Sequence, residues 1–270
     1  LTNTFSSNNY KSFMLGDSNS IDGKYSFIGT STRAHIIGDR SSILTGDTNV
    51  ITGSYSSIST GIGNTLSGFG NYLGIGNNFN LTGDLNFGGV SYNSNINASN
   101  SFIGASVVSN INGNFSFIGS GQNNTILGGN SFIGSASASS TTDTSSFIGT
   151  GVNLEIFSGY SSILNGERNK ILSPNVVTHQ VAYNTILNGF SNKILSENTT
   201  VGNYVFIGTG NRNAAYYGSY NAILTGDTNR IYGAKCFIAS GEQNLIDIHP
   251  TVGLGFTIPT NSSIVYGSEN

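Results

Sequence analysis

The chain has 270 residues, with 37 Gly, no Trp, only 9% charged residues and a formal net charge of −3. Its 37% of hydrophobic residues, with 16 Phe and 13 Tyr, are too many for a disordered polar tract. Lys and Arg are scattered singly along the sequence, so no basic stripe indicates a nucleic-acid partner. No apolar run approaches the roughly 20 residues that cross a bilayer, so we expect no membrane insertion by this segment.

An apolar anchor recurs every 15 residues from Ile28 onwards, and such a fixed period indicates a repeat architecture. A second series of apolar anchors follows the first at an offset of eight residues, as in Ile36 and Ile51. Gly88 is the exception in the first series and Thr141 in the second. Each anchor lies in a short extended run that is followed within a few residues by Gly. The pattern predicts an all-β fold, a parallel β-solenoid or β-roll with two short strands and two glycine turns in each 15-residue coil.

Extra residues interrupt the period in the last third of the chain, near 174–183, 197–203 and 247–261. The eight-residue offset between anchors continues on both sides of these segments. We therefore expect them to be inserted loops on a single β-solenoid domain that covers residues 1–270. Asn270 falls in mid-coil, so the sequence is expected to be a piece of a longer fibre.

The residue two before each second-strand anchor shares the inward face of that anchor and is often Asn. Stacked Asn side chains can hydrogen-bond from one coil to the next, which satisfies their buried amides. We predict a structural ladder of this kind at Asn49, Asn64, Asn124, Asn169, Asn192, Asn229 and Asn244.

The residue before each first-strand anchor points out of the coil, yet it is Phe in many repeats. Where it is Phe, the residue after the anchor is usually Gly, and where it is small, that residue is often Leu. A close-packed surface has reason to keep its total volume, whereas a solvent-facing surface has none. The exchange predicts association with other copies of the chain, in a homotrimer or a longer filament. The predicted interface comprises Phe27, Phe87, Phe102, Phe117, Phe132, Phe147, Leu164, Leu187, Phe206, Leu224 and Phe237.

The units Ser-Phe-Ile-Gly-Ser-Gly at 116–121 and Asn-Ser-Phe-Ile-Gly-Ser at 130–135 resemble the Asn-Ser-x-x-Ile-Gly head repeats of YadA-type trimeric autotransporter adhesins. As a pattern, the resemblance covers nearly the whole chain. It implies a left-handed parallel β-roll, three chains associated along their length, and a head that binds a host surface or matrix. The repeat of this chain is slightly longer, and Phe replaces the small residue usual before Ile-Gly.

Residues that could carry chemistry are sparse and dispersed. His35, His179 and His249 lie far apart in the repeat, with no Cys or carboxylate cluster beside them, so we expect no metal site and no cofactor. The grouped carboxylates of glycan-cleaving β-helix enzymes are not visible either. We therefore predict no catalytic residue and no enzyme activity.

These features favour a structural or adhesive segment of an extracellular or cell-surface fibre, bound to itself and to an unknown surface receptor or glycan. Two alternatives are left open by the sequence. One is a phage-type tail fibre segment, which would place the chain on a virion. The other is an ice-binding or surface-binding solenoid, although the outward positions lack the regular Thr array that such surfaces usually carry.

Overall fold

A computed structural model describes residues 2–7, 9–173, 182–195, 203–216, 220–247 and 262–268. The described chain is an all-β parallel solenoid, as predicted, in which successive strands alternate between two parallel sheets. It divides into two compact units, residues 1–130 and residues 131–270. Among the described residues there is no helix that could cross a membrane.

The first unit contains strands β1 to β17, of which the odd-numbered strands form one sheet and the even-numbered strands the other. In chain order these strands are β1 (Thr4–Phe5), β2 (Phe13–Asp17), β3 (Ser20–Ile21), β4 (Phe27–Thr32), β5 (His35–Ile36), β6 (Ser42–Asp47), β7 (Val50–Ile51), β8 (Ser57–Ile62), β9 (Thr65–Leu66), β10 (Tyr72–Asn77), β11 (Asn80–Thr82), β12 (Phe87–Tyr92), β13 (Asn95–Asn97), β14 (Phe102–Val107), β15 (Asn110–Ile111), β16 (Phe117–Gln122) and β17 (Thr125–Ile126).

The second unit contains strands β18 to β32, which alternate between the sheets in the same way. They are β18 (Phe132–Ser137), β19 (Ser140–Thr141), β20 (Phe147–Val152), β21 (Glu155–Phe157), β22 (Ser162–Ile163), β23 (Lys170–Leu172), β24 (Ala182–Ile186), β25 (Lys193–Leu195), β26 (Asn203–Ile207), β27 (Ala214–Tyr216), β28 (Asn221–Ile223), β29 (Arg230–Tyr232), β30 (Phe237–Glu242), β31 (Leu245–Ile246) and β32 (Ser263–Ser268).

Each strand pairs in parallel with the strand one coil further along, and the anchors stay in register. Ile103 of β14 is the partner of Ile118 in β16, and Ile156 of β21 is the partner of Ile171 in β23. The register survives the first insertion, because Ile171 next pairs with Ile194 of β25. These anchors are fully buried, and burying one Ile side chain stabilises the fold by roughly 1.5–3 kcal/mol.

Most of the three segments predicted as inserted loops lies outside the described residues. Among the described residues, β24 starts at Ala182 and β26 at Asn203, at the ends of the first two predicted segments. At the third segment, Asp247 is described and follows β31 directly. The insertions therefore interrupt the sequence period without interrupting strand pairing.

The corners of the coils differ from the predicted glycine turns. Each regular coil has at least two residues with a positive φ, and most of them are not glycine, as at Arg33 (φ 53°) and Arg40 (φ 52°), although glycines such as Gly46 (φ 137°) add a third in some coils. The Arg33 N–H donates to the carbonyl of Asp17 in the preceding coil at 3.0 Å. Coil stacking thus holds this sparsely populated conformation in place. Glycine is required instead at inward positions such as Gly38, where a Cβ would lie 2.0 Å from the carbonyl oxygen of the next coil.

Candidate interaction surfaces

Buried Asn side chains join many of the successive coils in both units. The Asn49 Nδ2 donates to the carbonyl of Gly61 at 2.7 Å, and its Oδ1 accepts the N–H of Asn64 at 3.1 Å. In the second unit Asn169 repeats this pattern, since its Oδ1 accepts the N–H of Asn192 at 2.9 Å. Ladder amides such as Asn49 are therefore paired at both their oxygen and their nitrogen although they are buried, whereas Asn244 Oδ1 has no partner among the described residues.

All seven residues of the predicted ladder are buried in the structure: Asn49, Asn64, Asn124, Asn169, Asn192, Asn229 and Asn244. Sequence reasoning omitted Asn213, which occupies the same position between Asn192 and Asn229 and donates to Gly226 O at 2.9 Å. The second-strand anchor of that coil is the small residue Ala215. Asn213 lies two residues before this anchor, so the same rule could have identified it.

The outward aromatic residues of the even-numbered strands form stacked columns within each unit. In the first unit the rings of Phe87 and Phe102 stack at 5.0 Å, and those of Phe102 and Phe117 at 4.6 Å. In the second unit Phe132 and Phe147 stack at 5.0 Å. The rings lie within about 5° of parallel, because parallel strands in register repeat the same rotamer in every coil.

The pairing of Phe before an anchor with Gly after it, and of a small residue before it with Leu after it, has a cause inside the single chain. A Cβ added to Gly104 would lie 3.1 Å from the Phe102 ring and 2.2 Å from the Gly119 carbonyl oxygen. The ring thus lies across the glycine of its own strand, and Gly134 stands in the same relation to Phe132, with a Cβ at 3.2 Å from the ring. Volume exchange therefore does not by itself require a second copy, as the sequence argument assumed.

The predicted interface residues remain accessible in the single chain to different degrees. Phe87, Phe147, Leu164 and Leu224 are exposed, at 39%, 40%, 42% and 44%. The others are half-buried, and these are Phe27, Phe102, Phe117, Phe132, Leu187, Phe206 and Phe237. The column is thus an apolar surface that its own rings cover only in part.

A second aromatic column lies in the second unit and was missed from the sequence. Tyr183 and Tyr204 are register partners, and their rings stack at 5.2 Å. Tyr220 continues the stack at 5.2 Å from Tyr204, and Tyr160 meets Tyr183 at 5.6 Å with a 45° tilt. The insertions set these tyrosines at unequal spacings, so no 15-residue period links them.

In the second unit, Lys and Arg residues also lie close together on the outward side of the odd-numbered strands. Lys170 pairs in register with Lys193, Lys193 with Ala214, and Ala214 with Arg230. Arg168 and Arg212 lie two residues before Lys170 and Ala214. Five of the ten Lys and Arg residues of the chain therefore fall on four successive coils. We call this group the cationic column, and it comprises Arg168, Lys170, Lys193, Arg212 and Arg230. Insertions hide this column in the sequence, where the same residues are scattered singly.

Only part of the cationic column is neutralised. The Lys170 Nζ bonds both carboxylate oxygens of Glu155 at 2.8 Å, and Arg168 lies 3.5 Å from Glu167. Among the described residues, Lys193, Arg212 and Arg230 have no ion-pair partner. Lys193 borders a shallow trough of about 430 Å³ and lies over the Tyr216 ring at 5.7 Å. The arrangement can bind an extended anion along the direction of coil stacking.

The described residues contain no group of three or more His, Cys, Asp or Glu side chains that could hold a metal ion. His179 and His249 lie outside the described part of the chain, and His35 hydrogen-bonds Ser20 of the adjacent coil. Cys236 is buried two residues before the first-strand anchor Ile238, and this burial raises the pKa of its thiol, which favours the protonated form.

The sequence matches no protein-family model, and no curated protein matches it with significance.

Proposed function

We propose that this chain is a structural and adhesive segment of an extracellular or cell-surface fibre, in which copies associate side by side through the stacked Phe column. The observation that carries the proposal is the stacked Phe column of each unit, which leaves Phe87 exposed in the first unit and Phe147 exposed in the second. A continuous apolar surface of this kind is typical of an interface.

A closed trimer is the assembly that we propose, because it is what the resemblance of the repeats implies. A column that follows the stacking direction can meet its equivalents around a common axis, so that every copy covers the same surface of a neighbour. The trimeric β-roll heads that the repeats resemble associate in this manner. A phage-type tail fibre would use the same interface, and it differs from this proposal in location only.

The cationic column supports the adhesive part of the proposal. Lys193, Arg212 and Arg230 are free of ion-pair partners within the described chain and lie in reach of an external anion. An anionic glycan is the receptor chemistry that this surface fits, because charges repeated along the stacking direction match charges repeated along a polymer.

Ice binding is a weaker candidate function. Thr30, Thr45 and Thr60 are register partners at one outward position, but Ile75 and Val90 follow them at that position. The Thr array therefore ends after three coils. We expect no thermal hysteresis in a freezing assay.

Light scattering coupled to size exclusion tests self-association. The proposal expects a mass three times that of the 28.2 kDa chain. The variant Phe87→Ser/Phe102→Ser/Phe117→Ser should shift the mass to that of one chain and keep the β-sheet circular dichroism. Phe115→Ser is the matched control, because Phe115 is 63% exposed outside the Phe column. A wild-type protein that stays monomeric at micromolar concentration contradicts the proposal.

A further inference from the structure

The tyrosine stack of the second unit places three phenol rings in successive stacking contact on an open surface. Tyr183, Tyr204 and Tyr220 follow each other at 5.2 Å between ring centroids, with 15° between successive ring planes. Each side chain is about half exposed, at 47%, 46% and 54%. The stacked rings cover each other's faces, so their edges and hydroxyl groups are what solvent meets.

Few other side chains of this protein compete for oxidation. The sequence has no Trp, one Met and one Cys. Met14 is 8% exposed and Cys236 is 1% exposed, so both are shielded from solution. Thiolate character and exposure govern thiol oxidation, and burial raises the pKa of Cys236, which keeps the thiol protonated. A one-electron oxidant in solution therefore meets tyrosine before any other oxidisable group.

We propose that Tyr204 is an oxidative cross-linking site, which forms dityrosine with Tyr183 or Tyr220 when the protein meets hydrogen peroxide and a haem peroxidase. The peroxidase removes one electron and one proton from each of two phenols. The two phenoxyl radicals join by a carbon–carbon bond between ring positions ortho to the hydroxyls. The two ring hydrogens at the new bond are lost as protons while the phenolic oxygens regain theirs. In sum the chain loses two hydrogen atoms, and one hydrogen peroxide becomes two waters.

Strand register makes this coupling feasible with small movements. Tyr183 and Tyr204 are Cα partners on β24 and β26, so their backbones already lie at the spacing of adjacent parallel strands, about 4.8 Å. Their outward rings are open to solvent on one side, which leaves room for the tilt that ortho coupling requires. The bond joins two successive coils and closes the chain between them into a loop, so it limits the unfolded state as a disulfide does.

Treatment of the full chain with hydrogen peroxide and a haem peroxidase tests the proposal. We expect a mass loss of two hydrogens per chain, dityrosine fluorescence, and a cross-linked peptide pair that joins Tyr204 to Tyr183 or Tyr220. Tyr204→Phe keeps the stacked ring and removes the phenol, so it should lower the yield of these peptides at least tenfold. Tyr92→Phe is the matched control, because Tyr92 is 48% exposed and its register partners are Asn77 and Val107.

An equal mixture of ¹⁵N-labelled and unlabelled chains separates bonds within a chain from bonds between chains. Cross-linked pairs of one isotope only support the proposal, whether or not the chain self-associates. Pairs of mixed isotope, cross-links at unrelated tyrosines, or no dityrosine under conditions that couple free tyrosine overturn it. The half-buried Tyr216 and Tyr232, which stack at 4.7 Å, serve as an internal comparison for the effect of exposure.

Discussion

The Phe79 ring occupies the space that an anchor side chain at Gly88 would fill. A Cβ added to Gly88 would lie 2.9 Å from the Phe79 ring and 2.8 Å from Leu73 Cδ1. Phe79 is fully buried at a position of the Asn ladder, and its N–H still donates to Asn64 Oδ1 at 2.9 Å. Two departures from the repeat, a large residue where Asn is usual and a glycine where Ile is usual, therefore compensate each other.

This compensation predicts strong coupling between the two positions. Gly88→Ile alone overfills the coil and should cost about 1–3 kcal/mol, while Phe79→Asn alone leaves a void and should cost about 3 kcal/mol or more. The double variant restores both repeat residues and should recover most of the lost stability. Urea unfolding of the four proteins measures the coupling, and simple addition of the two single costs contradicts the packing relationship.

Asn229 belongs to the ladder of the second unit, where its Nδ2 donates to Asn213 Oδ1 of the preceding coil at 3.1 Å. Its Nδ2 donates to Gly241 O at 2.9 Å and its Oδ1 accepts the N–H of Asn244 at 3.0 Å. Asn229→Ala leaves the buried Asn244 N–H without its partner, while the Gly241 carbonyl still accepts the Asp227 N–H, and should lower the free energy of unfolding by about 1–3 kcal/mol. Chemical denaturation measures the loss. Arg230→Ala, at an exposed neighbouring residue, should change it by less than about 0.5 kcal/mol.

Thr141 stands where the second series otherwise has Ile or Leu, and it is fully buried. Its Oγ1 has no hydrogen-bond partner among the described residues. Thr141→Val keeps the shape and removes the unpaired hydroxyl, so the protein should gain about 1 kcal/mol of stability and its melting temperature should rise. Thr142→Val, at the half-buried next residue, is the control. A lower melting temperature for Thr141→Val means that the hydroxyl has a partner in solution.

Neutralising the free cations of the second unit tests the glycan proposal. Lys193→Gln/Arg212→Gln/Arg230→Gln should weaken binding to immobilised heparin tenfold or more, and wild-type binding should fall steeply with salt. Lys11→Gln/Lys24→Gln/Arg40→Gln removes the same charge from the first unit and should bind as the wild type does. Equal losses in both variants indicate a response to net charge and contradict a defined surface. Tighter wild-type binding to duplex DNA than to heparin points to a nucleic acid instead.

The sequence determines most of what faces inward. The fixed period of the sequence gives the coil length. Successive residues of a strand point to opposite faces, which shows which side chains point inward. Anchors such as Ile103 and ladder residues such as Asn49 could therefore be assigned directly. Insertions shift the numbering by unequal steps, which hides outward neighbours from different coils. The stack of Tyr183 on Tyr204 and the register of Lys170 with Lys193 therefore become visible only in the folded chain.

The coil corners were misjudged for a different reason. Propensity favours glycine for a left-handed backbone, but propensity describes an isolated turn. In the solenoid, main-chain hydrogen bonds between successive coils fix the backbone conformation of the corner whatever side chain the residue carries. Val108, a β-branched residue, has a φ of 54° because its N–H donates to Tyr92 O of the preceding coil at 2.9 Å.

These corners have a consequence for how such a chain can evolve. Arg33, Val108 and Phe115 all occupy the same type of slot, although they differ in size, charge and polarity. Main-chain hydrogen bonds between coils define the slot, so folding depends little on which side chain occupies it. Each coil therefore has two surface positions of this kind. Single substitutions at these positions can change the surface chemistry while the buried ladders stay unchanged.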